Sequence, residues 1–333
     1  MWHFTECAIQ GRGHLKNDVP CQDKTTVLKE NDVYIIALAD GAGSAKYSHF
    51  GAENIINTVA KSLSTNFDRY FLHEIANYVI TEIYNEYYEN LCKLATSMNC
   101  TVKDLASTLL FVAVKDDRFI LGHLGDGLIG YLKNNYLKIA SLPNNGEFSN
   151  ETYFSTSKDA INHMKLAKGS VKDINGFVLM SDGTADSFYN KREKKLADVL
   201  QKIMKLSILI PKNKFDGILA NNFRNSVLQA TFDDCSIAIM AKNTQNFTGF
   251  LTIADSYKRE ILQINGQRHT NLRTKRYADL LFFMSTQRTL QDIEFYAKQL
   301  GIKNKHLYKH IAKLEKLSLI EHTGDKYLTL ITL

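Results

Sequence analysis

The chain has 333 residues, of which 44% are hydrophobic and 23% charged, with only three prolines and five cysteines. That is enough apolar material for one large core and a smaller second domain, and it excludes a disordered or collagen-like chain. The net charge of +6 is uneven: residues 1–241 carry 26 basic against 27 acidic side chains, whereas 242–333 carry 15 against 8, so the positive excess belongs to the C-terminal segment.

The opening Met1-Trp2-His3-Phe4-Thr5-Glu6 lacks the basic start and apolar core of a signal peptide, and no apolar stretch approaches the ~18 residues that suggest a membrane span. The expectation is a cytoplasmic protein with no membrane partner. The cysteines (Cys7, Cys21, Cys92, Cys100, Cys235) form no Cys-x-x-Cys pair and read as reduced thiols. Strands are predicted over 4–10, 33–39, 108–114, 119–124, 128–132, 177–180 and 237–241, from β-branched and aromatic runs bounded by turn residues. The dipeptides Asp116-Asp117 and Asn134-Asn135 suggest hairpins, and hence antiparallel sheets. The clearest helix is predicted over 71–94, where Phe71, Ile75, Val79, Ile83, Tyr87 and Leu91 recur at three- and four-residue steps. A second is predicted over 48–64, and weaker ones over 193–207 and 215–227. Strands facing strands with helices outside give an α+β, four-layer α-β-β-α sandwich of two mainly antiparallel sheets. The polar segment 143–170, opening Pro143-Asn144-Asn145-Gly146, reads either as a mobile functional flap or as a disordered insertion.

Four aspartates stand at the ends of apolar runs: Asp40 in Ala39-Asp40-Gly41-Ala42-Gly43, Asp126 in Gly125-Asp126-Gly127, Asp182 in Ser181-Asp182-Gly183, and Asp233 in Asp233-Asp234-Cys235-Ser236. Each taken singly is an ordinary turn-former before glycine or a strand. Together they sit where strand ends converge, and carboxylates brought together repel unless a cation joins them. Oxygen-only donors favour magnesium or manganese.

The ordered series Pro20-Cys21-Gln22-Asp23, Ala39-Asp40-Gly41-Ala42-Gly43, Ser107-Thr108, Leu124-Gly125-Asp126-Gly127, Met180-Ser181-Asp182-Gly183 and Asp233-Asp234-Cys235-Ser236 resembles the type 2C, metal-dependent (PPM) serine/threonine protein phosphatases, in particular their compact bacterial branch, over about residues 1–241. The resemblance implies a phosphorylated protein as substrate and two Mn2+ or Mg2+ ions, with a third, weaker one. Their shared water would attack phosphorus directly. It implies that Asp40 bridges the two metals with help from the Gly41 carbonyl, that Asp182 and Asp233 complete the pair, that Asp126 helps hold the third ion, and that Asp23 lies near the first. Asp40, Asp182 and Asp233 are therefore the expected catalytic set. Relatives carry Glu where this chain has Gln22, Arg where it has Asp18, and His where it has Ala42. Arg12, His14 and Lys16 are the candidates for binding phosphate in place of the absent Arg. The proton donor is left open between His14, His49 and a cation-held water. Those departures also motivate an alternative: a pseudophosphatase regulator, or a DNA-associated transcriptional regulator with a degenerate phosphatase domain. A metal-dependent nuclease is a third reading.

After a connecting segment, 244–276, ending in the basic run 268–276, residues 277–333 resemble a winged helix-turn-helix. A helix is predicted over 277–284, a second capped by Thr289 with Asp292 at its third position, and a third lined by Leu307, Ile311, Leu314 and Leu317. A two-stranded wing is predicted to turn at Gly324-Asp325. The third helix offers Lys303, Lys305, Lys309 and Lys313 to DNA or to a protein partner. The predicted domains are thus 1–243, 244–276 and 277–333.

Overall fold

The structure is a computed structural model that describes residues 1–134, 136–143, 152–243, 249–264 and 270–331. Asn135, residues 144–151 of the predicted flap and Arg268 of the basic run lie outside them. By contact the chain divides into one unit of Met1–Met204 with Leu219–Lys242, and a second of Lys205–Ile218 with Asn243–Leu333.

In chain order the first part reads β1 (Trp2–Ile9), α1 (Arg12–Lys16), β2 (Lys24–Glu30), β3 (Val33–Ala39), α2 (Ser48–Leu72), α3 (Ala76–Met98), β4 (Leu109–Lys115), β5 (Arg118–Leu124), β6 (Leu128–Lys133), β7 (Tyr136–Ser141), α4 (Ala160–His163), β8 (Lys165–Ser170), β9 (Ile174–Met180) and α5 (Asp182–Phe188). The short pair β10 (Tyr189–Asn190) and β11 (Lys195–Leu196) follows, then α6 (Val199–Leu209), α7 (Lys212–Asn222), α8 (Leu228–Ala230) and β12 (Cys235–Lys242). Two five-stranded antiparallel sheets result, ordered β2-β3-β4-β5-β8 and β1-β12-β9-β6-β7.

Strand periodicity explains the layers. Along β3 and β4, Val33, Ile35, Ala37, Leu109, Phe111 and Ala113 face α2 and α3. The alternate residues Ile36, Leu38, Leu110, Val112 and Val114 meet Ile129, Phe177, Leu179 and Met240 of the other sheet, as a period of two requires. Both faces of these strands are dry, which is why they read as continuous apolar runs. Beyond the second sheet, Met204 of α6 reaches Gly176 of β9 closely enough that a Cβ there would stand 2.8 Å from its sulfur.

Several elements differ from expectation. The apolar repeat over 71–94 is interrupted: α2 runs on to Leu72 and α3 begins at Ala76, with Leu72 and Ile75 exposed at the corner. The strands β2 and β8 were not expected, whereas β7 is the second arm of the hairpin expected after β6. All three are edge or near-edge strands of half-buried, polar-rich sequence, where a core pattern is weakest. The described end of the 143–170 segment is correspondingly not a free flap, since β8 pairs with β5 from His123↔Lys165 to Arg118↔Ser170. Among the described residues no helix is long and apolar enough to cross a membrane.

In the second unit α9 (Asp255–Ile261) and α10 (Thr270–Phe283) precede β13 (Arg288–Thr289), α11 (Leu290–Gln299), α12 (Asn304–Lys316), β14 (Ile320–Thr323) and β15 (Lys326–Thr329). Thr289 caps α11 reciprocally: its hydroxyl accepts from Asp292 N–H at 3.2 Å and the Asp292 carboxylate accepts from Thr289 N–H at 3.0 Å. Leu307, Ile311, Leu314 and Leu317 are buried, and Gly324 takes the φ of +63° that the β14–β15 turn needs. The unexpected strand β13 makes the sheet three-stranded, ordered β13-β15-β14.

Candidate active site

Register brings the aspartates together. Asp40 follows β3, Asp126 follows β5 and Asp182 follows β9, while Asp233 precedes β12, whose Ile237 lies opposite Met180 of β9. All four carboxylates line one cavity of about 280 Å³, with His14, Gln22, Ala42, Thr108 and Phe154 also in its wall.

Each carboxylate is fixed by its turn. Thr108 clamps the first, accepting from Asp40 N–H at 2.9 Å on its hydroxyl and donating its own N–H to Asp40 O at 2.8 Å. Gly41 N–H donates to Gln22 O at 3.2 Å. Gly125 packs on Thr108 at φ +114°, where an added Cβ would stand 2.5 Å from the Thr108 methyl; no residue but glycine fits that turn. Asp126 accepts from the Thr152 hydroxyl at 2.6 Å. Asp182 opens α5 and accepts from Gly183 N–H at 2.6 Å, the charge that a helix start favours.

His123 secures the Asp126 turn from behind. It is fully buried; Nε2 lies 3.1 Å from Gly125 O and so donates, which leaves Nδ1 to accept from the Ser141 hydroxyl at 2.6 Å. It is a packed, hydrogen-bonded histidine, as its place between Gly122 and Leu124 suggests. Burial, with Lys165 nearby, lowers its pKa from 6.5 to about 4. The unfolded chain therefore takes up this proton near pH 6.5 and the folded one only near pH 4. The contribution is whole above pH 6.5 and about 3 kcal/mol is lost by pH 4. Urea titrations over that range should show wild type losing that much more stability than His123→Gln; parallel pH profiles would contradict the assignment.

Burial holds the Asp40 carboxyl well above the usual carboxylate range, with Asp23, Asp182, Asp126 and Asp233 adding repulsion in that order. Asp182 is raised by burial and then by Asp126 and Asp233. Asp23, only 1% exposed, is raised by burial and by Asp234, and neither of its oxygens makes a hydrogen bond of good geometry. Among the described residues no three His, Cys, Asp or Glu side chains already converge on a single point as metal ligands do. What converges is a ring of acceptor oxygens about a cavity, with the buried Asp23 carboxylate beside it, near the hydroxyls of Ser236 and Ser181 but without a well-aligned hydrogen bond. That donor set fits hard divalent cations.

The other expected site residues divide. His14 lines the cavity. Arg12 does not: its guanidinium donates to Thr231 O at 3.1 Å and Gln229 O at 3.3 Å and lies 4.5 Å over the Phe232 ring. Lys16 is exposed at the end of α1 and is not in the described cavity wall. His49 is outside it too, packed 4.2 Å from Phe50. Ala42, buried against Ala45 and Ala106, offers no proton. Cys235 is a buried thiol pushed up to about 12 by burial and then by Asp23, and Cys21 is raised in the same way; both are neutral packing groups.

Sequence reasoning missed Asp234. It is 2% exposed and accepts from Gly11 N–H and Gln22 N–H, each at 2.6 Å, while His14 Nδ1 lies 2.9 Å from its Oδ1. Gly11 permits this: a Cβ there would fall 2.3 Å from the Asp233 carbonyl carbon. The Asp233-Asp234 pair was a signal, because neighbours at a strand entrance point opposite ways, one outward and one in. Thr152 and Phe154, on a segment read as a flap, were missed as well.

Residues 10–209 match the family model described as protein phosphatase 2C, and the chain belongs to that family. The match takes in Asp23, Asp40, Asp126 and Asp182, whereas Asp233 and Asp234 lie beyond it. The chain is 25% identical over 169 residues to serine/threonine-protein phosphatase 3 of Escherichia coli (strain K12), a match covering 49% of this chain and 66% of that protein, just under two thirds of its length. Among solved structures it is similar to a bacterial serine phosphatase, at 12% identity and a TM-score of 0.51 over 74% of this chain and 100% of that one. It is likewise similar to the S. agalactiae serine/threonine phosphatase, at 17% identity and a TM-score of 0.50 over 73% of this chain and 100% of that one. These two likenesses concern the fold.

Proposed function

We propose that the chain is a metal-dependent protein serine/threonine phosphatase that hydrolyses phosphoserine and phosphothreonine in a protein substrate. The observation that carries this is the single cavity walled by Asp40, Asp126, Asp182 and Asp233 in a chain of the protein phosphatase 2C family. Asp40, Asp182 and Asp233 would hold two Mn2+ or Mg2+ ions, with the Gly41 carbonyl assisting, Asp126 reserved for a third ion and Asp23 behind them. When bound, such cations supply an activated water and neutralise charge on the phosphoryl oxygens. The chain's own contribution is preorganisation. Thr108 fixes the Asp40 and Asp126 turns together, and Asp234 ties α1 and the Gln22 loop to the mouth of β12. With Arg12 engaged elsewhere, Gln22, Thr108 and His14 are the non-acidic polar side chains in the described wall. The test is hydrolysis of a phosphothreonine peptide with Mn2+ and with chelator. Turnover that needs the metal supports the reading; tight phosphopeptide binding without turnover at saturating Mn2+ would instead indicate a phosphoprotein-binding regulator.

For residues 277–333 we propose a winged-helix-like module that contacts the phosphates of duplex DNA. Lys303, at the cap of α12, and Lys305 and Lys309 on that helix are exposed, and the segment from 242 onward carries the chain's positive excess. Lys313 is less free, since its ammonium donates to Gln263 O at 2.9 Å. The full chain should bind duplex DNA at low salt, with log affinity falling linearly in log salt, and a K303E/K305E/K309E variant should lose that binding. Equal affinity of the two proteins would leave a protein partner as the alternative.

A further inference from the structure

We propose that His14, held by Asp234, is the proton donor to the leaving serine or threonine oxygen; the inference rests on the phosphatase reading. An alkoxide is a poor leaving group, so cleavage of an alkyl phosphate needs a proton delivered as the P–O bond breaks. Of the non-carboxylate side chains in the described cavity wall, Gln22, Ala42, Thr108 and Phe154 have no proton to give at neutral pH. The imidazole of His14 is the acid–base group among those side chains, and a carboxylate stands beside it. Its Nδ1 lies 2.9 Å from Oδ1 of Asp234, a carboxylate that is itself 2% exposed and fixed by two backbone N–H groups at 2.6 Å. The two groups stand within ion-pair distance although Nδ1 makes no well-aligned hydrogen bond; a small turn of the ring would close that contact, fix its orientation and leave Nε2–H for the substrate. The anchor also places the ring by tertiary structure, because Asp234 stands at the entrance of β12 while His14 is on the α1 turn. His49 has no such position, being outside the described wall.

The step balances simply. A water oxygen bonds to phosphorus as the phosphorus–ester oxygen bond breaks. The electron pair of that bond goes to the seryl or threonyl oxygen, which takes the Nε2 proton, and the alcohol departs. Inorganic phosphate is left with the water's oxygen, and the proton shed by the water returns through solvent to the imidazole.

Leaving-group dependence tests this, since a nitrophenolate leaves without help and an alkoxide does not. With saturating Mn2+, His14→Asn should cut kcat on a phosphothreonine peptide by roughly 10²–10⁴-fold while lowering kcat on p-nitrophenyl phosphate less than about tenfold. Across a series of phosphate monoesters, wild-type kcat/KM should vary shallowly with leaving-group pKa and the variant's steeply. Calorimetric Mn2+ affinity equal to wild type shows that the variant is folded. Equal losses on both substrates, or no loss on either, would overturn the proposal. If the variant does not fold, the wild-type series still decides, because a steep dependence there means that no proton is being supplied. Wild type that turns over neither substrate defeats the phosphatase reading itself, a result distinct from any of these.

Discussion

Asp182→Asn and Asp40→Asn should each lower Mn2+-dependent hydrolysis of a phosphothreonine peptide by on the order of 10³-fold, with the fold intact. The amide keeps the shape of the side chain and removes its charge. A cation held beside a phosphoryl group is worth several kcal/mol of transition-state stabilisation, and each 1.36 kcal/mol is tenfold in rate. The structure argues that neither change unfolds the protein. Asp40 is held through its backbone, by Thr108, and its side chain stands among Asp23, Asp182, Asp126 and Asp233, whose charges repel it, with a hydrogen bond to Asp182 that an amide at either position can keep. Circular dichroism and melting in chelator should therefore match wild type or show a slightly more stable protein. This is the usual relation between a strained active site and stability. Unchanged kcat in either variant would remove the carboxylate ring from the chemistry.

Asp234→Ala should be the most destabilising single change at this end of the molecule, costing about 3–5 kcal/mol. Two buried backbone N–H groups, of Gly11 and Gln22, would lose a charged acceptor at 2.6 Å. Hydrogen bonds to charged groups contribute about 1.5–3 kcal/mol apiece. The neighbouring Asp233 is exposed, so Asp233→Ala should cost less than about 1 kcal/mol while abolishing turnover. Urea titration of the two variants separates them: the midpoint should fall sharply for Asp234→Ala and hardly at all for Asp233→Ala. Equal midpoints would mean that Asp234 does not tie α1 and the Gln22 loop to β12.

The residues explain which parts of this were legible. An Asp-Gly after a β-branched run announces its turn locally, so Asp40, Asp126 and Asp182 were evident, and sheet register does the rest by setting β3, β5 and β9 with their ends on one side. The dry central strands were legible for the same reason: burial on both faces writes a continuous apolar run. Edge strands were not. In Lys24–Glu30 and Lys165–Ser170 one side of the ladder is open, and lysine and glycine are tolerated there. The α2–α3 corner was hidden because Leu72 and Ile75 continue the helical apolar spacing while standing exposed, and spacing alone does not reveal which apolar residues are covered. Asp234 was out of reach for a deeper reason. Its role is set by Gly11 and Gln22, 223 and 212 positions away in sequence, and although the paired aspartates signal that one of them faces inward, nothing local says which. Arg12 shows the converse: its type and place suited a phosphate clamp, but carbonyls of the 229–231 turn engage it.

The most direct measurement is titration calorimetry of Mn2+ into the metal-free chain and its Asp40→Asn variant. Two strong ions per wild-type chain, with both weakened together in the variant, is the result expected if Asp40 bridges a cation pair between β3 and β9. Wild type without strong Mn2+ binding, or a variant that binds as wild type does, would contradict it.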